Sequence, residues 1–565
     1  MKRNHFSYVL TCSLSLSLLT ACQASAPSSQ NTPMPPASET VSTSSPEEIL
    51  PSVETLPTET SPTYPLRQKN GIAEKQGVYY EVFVRAFADS DGDGIGDFNG
   101  LTSKLDYLKE LGIDGLWLMP INASPSYHGY DVTDYESLNS DYGTEEDFKK
   151  LLDEAHKRDI KVIMDFVVNH TSKEHPWFQS AINEGDYQDF YHFKEASDDS
   201  IKTAHSPWNT PVWHPLSDSK YYYGVFSDSM PDLNYENPNV RQAIKEAASK
   251  WLKLGVDGFR LDAAVHIYGE YEYENLDQHE AHNLEWWNDF ARACEAVNPN
   301  VYLVGEAWDG DEPLASYVQP FDTKFNFTVQ SDLMYAIKNT LSVGSHGEDL
   351  ASSLQALYES YDAVDTNYLD GVFASNHDQN RIMSDLIVPG KVRLLPHIYL
   401  TLPGNPYIYY GEELGMKGNK PDELIRLDFK WTDDYTNAPN CNWSIAEGGQ
   451  DYHTINEDVP SLAAQKNEND SIYNLYKTLI ELRKTHEALS MGQYEAIATQ
   501  NPSILGYRRY TDNEDLVIFH NLTSKELSLD SDLIKDATCL YHSYPNETEE
   551  NSFTLPGYST VIYKR

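Results

Sequence analysis

From about Gly77 to Leu489 the hydrophobic positions alternate between two rhythms. Short apolar runs, each ending in a polar or charged tip, are followed by segments whose apolar residues recur at helical spacing. The runs read GVYYEVFVRAF, IDGLWLMPI, KVIMDFVVNH, VDGFRLD, VYLVGEAW, DGVFASNHD and PYIYYGEE. Between them, Thr144–Asp159 puts Phe148, Leu151, Leu152 and Ala155 on one face, with Thr144 and Asp147 placed for a capping box. Val240–Leu254 carries Ile244, Ala247, Trp251 and Leu254 ahead of a stop at Gly255, and Ser471–Leu489 carries Ile472, Leu475, Tyr476, Leu479 and Leu482. Near-continuous apolar strands alternating with helices predict a parallel sheet covered on its faces. Seven runs are clear, and a weaker eighth lies in TKFNFTV, Thr323–Val329. Eight such units predict a (β/α)8 TIM barrel rather than an open doubly wound sheet. All strand C-terminal ends of such a barrel meet on one face, where chemistry is built. His, Asp or Glu stands at the tip of five of the seven clear runs.

Two regions break the rhythm. Between His170 and Val240 no clear helix is legible, and the stretch holds SPWNTPVWHP and YYYG. It predicts a small domain inserted after the third strand, at about residues 171–236, within a barrel spanning 71–489. Its aromatics form either a small core or a stacking surface. After Leu489 come short alternating runs, SILGYRRY, DLVIFHNL and STVIYKR, which predict an antiparallel β domain over 490–565.

The N-terminus follows different rules. Lys2 and Arg3 precede a short apolar stretch, Tyr8–Leu19, that ends LTAC at Cys22. Residues 1–22 resemble a bacterial lipoprotein signal peptide, which implies lipidation of Cys22 and a cell-surface protein held to a membrane by that anchor. The alternative is an ordinary secretory leader with a chance Cys. Residues 23–70 are rich in Ser, Thr, Pro and Glu and too poor in apolar residues to offset their ordering entropy, so they read as a tether. A coil of that length reaches about 35–40 Å. Of five cysteines, Cys294, Cys441 and Cys539 remain beyond this segment, a set that is neither a disulfide framework nor a zinc pattern. They read as buried thiols, with one pair left open. The net charge of −45 argues against nucleic acid or an anionic lipid surface as a partner. It suits a soluble exterior, a neutral ligand and bound cations; a monomer is expected.

The stretch DSDGDGIGDFNG, Asp89–Gly100, sets Asp89, Asp91, Asp93 and Asp97 at alternate positions around Gly94. That is the ligand rhythm of an EF-hand, but Gly100 stands where the closing bidentate Glu belongs, and a strand precedes the loop instead of a helix. The helix that follows holds Leu101, Leu105, Leu108 and Leu111 and stops at Gly112. Four neighbouring carboxylates repel one another without a cation. The loop therefore predicts a structural calcium site with Ile95 lending its carbonyl; a solvated acidic turn is the alternative, and a calcium sensor does not fit.

Three tips carry acid–base chemistry. GFRLDAAVH supplies Arg260, Asp262 and His266, LVGEAW supplies Glu306, and FASNHD supplies His377 and Asp378. Arg260 and Asp262 share one side of their strand and can pair, which favours an ionised Asp262. Burial beside other carboxylates raises the pKa of Glu306, as a general acid requires. A nucleophilic carboxylate beside a proton-donating one is the apparatus for retaining glycosidic cleavage.

These segments resemble glycoside hydrolase family 13, the α-amylase family. DFVVNH, GFRLDAAVH, GEAW and SNHD resemble its four best-known motifs in order, MPDLN at Met230–Asn234 a fifth, and GLWLMPI and GNPYIYYGEELGM two more. The likeness covers about Gly77 to Arg565. It implies Asp262 as nucleophile, Glu306 as acid and then base, and Asp378 as the carboxylate that binds sugar hydroxyls and stabilises the distorted ring. It implies that Arg260, His170 and His377 hold the sugar, that Tyr130 of SYHGYDV lies under the reacting ring, and that His266 sits near the leaving group. Asp165 reads as structural. The acidic loop resembles a calcium-binding loop of several branches of the family, and Asn169 with the His266 carbonyl resembles part of another. Val265 stands where many amylases carry Lys; Ala263 is the small residue associated with α-1,4 preference. The expected activity is cleavage of α-1,4 bonds in starch, maltodextrin or a related α-glucan. The alternatives are an α-glucosidase, an oligo-1,6-glucosidase or a neopullulanase-like enzyme on short α-glucans, and, outside enzymes, a surface glucan-binding protein.

Overall fold

The computed structural model describes residues 64–565 except 184, 207, 270–275, 309–313, 340–345, 435–437, 530 and 545–553. The leader, Cys22 and the tether as far as residue 63 lie outside the described residues.

Eight parallel strands close a barrel: β1 Tyr79–Val82, β2 Gly115–Leu118, β3 Lys161–Phe166, β4 Gly258–Leu261, β5 Tyr302–Gly305, β6 Thr323–Phe325, β7 Leu369–Phe373 and β8 Asn405–Tyr409. Each strand pairs with its sequence neighbours and β8 returns to β1. β6 is the weak eighth run; only three of its residues form the strand, which is why its pattern is faint in the sequence. Side chains alternate in and out along a strand. The inward set Tyr79, Trp117, Ile163, Tyr302, Val304, Phe325, Phe373 and Tyr407 forms a core inside the barrel, distinct from the larger core between barrel and helices. β4 adds no apolar residue to that inner core. Its Gly258 has no room for a side chain, because a Cβ there would lie 1.8 Å from the Tyr302 carbonyl, and its next inward residue is Arg260.

The helices follow the expected signals with informative differences. The helix Glu145–His156 carries the Thr144–Asp147 capping box, and Pro238–Leu254 stops at Gly255 in the left-handed conformation. The helix after the acidic loop is split at Lys104 into Phe98–Ser103 and Leu105–Leu111. The predicted Ser471–Leu489 helix also divides, at His486, whose extended backbone separates Ile472–Thr485 from Glu487–Met491.

After β3 the chain forms a three-stranded antiparallel sheet from Phe193–Glu195, Lys220–Tyr223 and Trp213–Pro215. It also contains a helix that the sequence pattern hides, Pro176–Ile182, started by Pro at its first turn and by His175, whose ring accepts from the Trp177 N–H. Trp213 and Tyr223 belong to a small core with Ile201, Val212 and Val225. Beyond the barrel, β9 Gln493–Ala496, β10 Ile504–Tyr510, β11 Asp515–Asn521, β12 Thr538–His542 and β13 Thr560–Lys564 form an antiparallel sheet in the order β9-β10-β11-β13-β12. The fold is the expected TIM barrel with a C-terminal antiparallel β domain.

Two expectations need correction. The tether does not extend to Asn70. Arg67 and Lys69 are buried, and Arg67 pairs with Glu295 at 2.7 Å and with Asp322 at 3.0 Å. Composition hides this because the segment is held by ion pairs and not by apolar burial. The cysteines Cys294, Cys441 and Cys539 are all free, and Cys539 is exposed on β12.

Candidate active site

The strand register delivers charged side chains to one end of the barrel. Going along β1 from Tyr79, the next inward residue is Glu81; along β3 from Ile163 it is Asp165; along β4, Arg260 is followed by Asp262; past β5, Val304 is followed by Glu306. Arg260 is the hub. Its Nη1 donates to Asp262 Oδ1 at 2.6 Å and to Asp165 Oδ1 at 2.9 Å, and its Nη2 pairs with Glu306 Oε1 at 2.8 Å. Despite burial, these carboxylates hold the guanidinium firmly charged.

Asp262, Glu306 and Asp378 line one cavity of about 360 Å³, together with Tyr130, His170 and His266. Ala263, next to Asp262, has φ of +50°, a left-handed backbone that costs a side-chain-bearing residue about 1–2 kcal/mol. The turn aims its N–H at Glu306 Oε2, 3.1 Å away, and Ala264 N–H donates to the Glu306 carbonyl at 3.0 Å. The side-chain carboxyl of Glu306 is pushed up to about 7. Burial is the largest cause, opposed by Arg260 and reinforced by the charges of Asp262 and Asp378. Burial likewise lifts Asp165 to about 6 against the pull of Arg260.

Asp378 is treated in the opposite way. Desolvation at the cavity wall would raise it, but His377, Arg426 and Lys420 together hold it well below the usual carboxylate range. Its side chain is 47% exposed at the cavity, with His377 Nε2 at 3.1 Å and Arg426 Nη2 at 3.1 Å. His377 is raised to about 10: burial disfavours the cation, yet Asp378 and Glu81 outweigh it. Its Nδ1 donates to Glu81 Oε1 at 2.5 Å, and its Nε2 donates to the Tyr130 hydroxyl at 2.5 Å, which in turn donates to Asp165 Oδ2 at 3.1 Å. The Tyr130 ring stacks on His377 with centroids 5.5 Å apart. His170 Nε2 donates to the Tyr130 carbonyl at 3.1 Å and fixes that loop. His266 stands edge-on to Trp208 and Phe226, which stack on each other at 5.5 Å. A second exposed indole, Trp308, stacks on Phe327 at 5.3 Å and also lines the cavity.

Every residue singled out from the sequence for chemistry or sugar binding thus falls in, or directly behind, this one cavity. Sequence reasoning missed Glu81, Arg426 and Asp422; Trp208 belongs to the SPWNTPVWHP stretch, whose aromatics the sequence leaves as core or stacking surface, and it lines the cavity. Glu81 had a signal, an acidic residue inside an apolar strand run. Arg426, which bonds Asp378 and, at 2.9 Å, Asp422, lies after β8 in a stretch without periodicity.

The acidic loop follows β1. Asp89, Asp91 and Asp97 each offer an oxygen, and the three atoms lie within 4.8 Å of one another, a spacing one cation can bridge. Asp93 lies beside that group of three, and its Oδ1 accepts from the Ile95 N–H at 2.8 Å. Asp89 is buried and accepts from the N–H groups of Asp91, Gly92 and Gly94, so the loop is shaped around its carboxylate.

Comparison with known proteins agrees with this geometry. The family model described as alpha amylase, catalytic domain, matches residues 81–492, and that described as the alpha-amylase SusG C-terminal domain matches 504–562. "Alpha-amylase 3" of Dictyoglomus thermophilum is 42% identical over 496 residues, 87% of this chain and 93% of that relative. A 4-alpha-glucanotransferase of Thermotoga neapolitana is 34% identical, over 79% of this chain and 96% of its own length. The crystal structure of an alpha-amylase from H. orenii superposes with a TM-score of 0.75 at 39% identity, covering 87% of this chain and 99% of its own. With the family model spanning the barrel and its carboxylate-lined cavity, the chain belongs to the α-amylase family of glycoside hydrolases, family 13.

Proposed function

We propose that the protein is an α-amylase, a retaining hydrolase that cuts α-1,4-glucosidic bonds within starch, maltodextrin or a related α-glucan. The observation that carries this reading is the placement of Asp262, Glu306 and Asp378 around one cavity with their environments set apart. Asp262, oriented by Arg260, attacks the anomeric carbon as Glu306 gives its proton to the departing glycosidic oxygen. The covalent glycosyl intermediate is then opened by water, whose proton returns to Glu306, so configuration is retained. A carboxyl with a pKa near 7 suits both halves of that cycle. Asp378, kept ionised by His377 and Arg426, accepts hydrogen bonds from the sugar hydroxyls, and Tyr130 forms an apolar floor. His170 and His266 contact the sugar at the cavity wall, and Trp208 and Trp308 offer rings on which neighbouring glucose units stack. Asp262→Asn is expected to lower kcat on soluble starch by about 10⁴-fold or more while starch binding persists; turnover at the parent rate would refute the assignment.

Calcium is the cation proposed for Asp89, Asp91, Asp93 and Asp97, with the Ile95 carbonyl; hard carboxylate and carbonyl oxygens suit it. There it would screen the repulsion among these carboxylates and fix the first loop after β1. The N-terminal LTAC motif supports an acylated Cys22 and a membrane-anchored cell-surface enzyme. Mass spectrometry of the mature N-terminus tests this, and an unmodified Cys22 excludes it. The strongly acidic composition favours a monomer.

A further inference from the structure

We propose that a second groove, separate from the catalytic cavity, binds a run of glucosyl units of the same α-glucan outside the stretch being cut. This rests on the reading of the protein as an α-glucan hydrolase. The groove has a volume of about 680 Å³, nearly twice that of the catalytic cavity. It forms where three parts meet: the strand Asp134–Leu138, the residues Pro176, Trp177, Tyr187 and Phe190 of the inserted region, and the helix Pro238–Leu254.

Its lining combines rings with acceptors. Trp177 and Tyr187 are half-buried and near-parallel, with centroids 6.0 Å apart and planes at 19°. Phe190 packs edge-on against both, and Tyr135 and His175 fix Trp177 from behind. Neither the Trp177 indole N–H nor the Tyr187 hydroxyl takes a hydrogen-bond partner among the described residues. The rim carries the exposed carboxylates of Asp134, Glu136 and Glu246. One cation, Lys250, also lines it, and its amine is engaged by Glu145 at 3.1 Å. An acidic rim repels anionic ligands. Aromatic faces take the C–H faces of a pyranose, while carboxylates, indole N–H and phenol exchange hydrogen bonds with its hydroxyls. A neutral polyhydroxylated chain matches this set.

The groove is also placed to matter for a polymer. Tyr135 forms part of its wall, and the Tyr135 hydroxyl donates to the His170 carbonyl at 2.8 Å, so one residue separates it from the catalytic wall. A long chain held there raises the local concentration of cleavable bonds at the cavity. A substrate too short to reach both sites gains nothing.

The test compares the parent with Trp177→Ala, Tyr187→Ala and Ala243→Trp. Ala243 faces the groove from the helix, and the larger ring fills it without removing a core side chain. Activity is read on soluble starch and on maltotetraose, and retention on insoluble starch is read in an Asp262→Asn background. The expected result is about a tenfold rise in KM for soluble starch, the equivalent of about 1.4 kcal/mol, with matching loss of starch retention and unchanged kcat/KM on maltotetraose. Unchanged starch KM and retention in Tyr187→Ala and Ala243→Trp would overturn the proposal. So would a parallel fall on both substrates, which marks a wall residue that merely supports the catalytic cavity. If the parent cleaves neither substrate, the hydrolase reading fails on its own, and the retention measurements still decide the groove.

Discussion

At the residue scale the site depends on giving two carboxyl groups opposite environments. Glu306 is largely buried beside Asp262 and Asp378, and its pKa rises to about 7. Asp378 faces three cations and is held low. The consequence for pH follows from the sign. The proton-donating form of Glu306 is present below about 7 and disappears as pH rises through that value. The profile of kcat/KM on a maltooligosaccharide is therefore expected to show a one-proton alkaline limb centred near 7. A profile flat between about pH 6 and about pH 9 would contradict Glu306 as the acid. Asp262, Glu306 and Asp378 were legible in the sequence because each closes a strand run, where the barrel gathers its chemistry. Arg426 was not, and Glu81 showed only as an acid inside an apolar run. They act through partners 296 and 48 residues away, His377 and Asp378, and no local pattern encodes such pairing.

At the element scale each β-strand, loop and helix unit is a local design, and the legible parts are those with periodic burial. The capping box at Thr144 and the stop at Gly255 were readable because their side chains and φ requirements are local. The helix breaks at Lys104 and His486 were not, since neither residue is a breaker and the apolar spacing continues across both. The acidic loop is the element with the sharpest consequence. Asp97 caps the helix Phe98–Ser103 by accepting from the Gly100 N–H at 2.8 Å, so the proposed cation site is continuous with the start of that helix. Calcium at a hundredfold excess over its Kd is expected to stabilise the fold by about 2.7 kcal/mol. Chelation with EDTA should lower Tm, added calcium should restore it, and Asp89→Asn should abolish the response. A melting curve indifferent to both reagents would remove calcium from this loop.

At the scale of the whole molecule the two ends of the barrel do different work. The strand C-terminal end carries the carboxylates and the cavity, and the N-terminal end is closed by the segment leading into β1. Arg67 and Lys75 converge there on Asp322, which is fully buried just before β6. The carbonyl of Lys75 accepts from Asn405 Nδ2 at 2.9 Å and from the Tyr79 hydroxyl at 3.2 Å, which joins the segment to β8 and β1. A strap of this kind is illegible to composition. Its partners lie more than 200 residues downstream, and its basic residues carry no apolar pattern that would announce burial. Removing one partner of a buried ion pair leaves an uncompensated charge, which typically costs about 3–5 kcal/mol. Arg67→Met is therefore expected to destabilise the fold by about that amount, read as a lower midpoint in urea. Lys157→Met, which breaks the exposed, solvent-screened pair with Glu154, should leave the urea midpoint close to that of the parent. Because the strap is at the end of the barrel away from the cavity, kcat on a short substrate, measured well below the transition, should be equal in Arg67→Met and parent. Equal urea midpoints for Arg67→Met and Lys157→Met would mean that the strap only rests on the barrel and does not hold it closed.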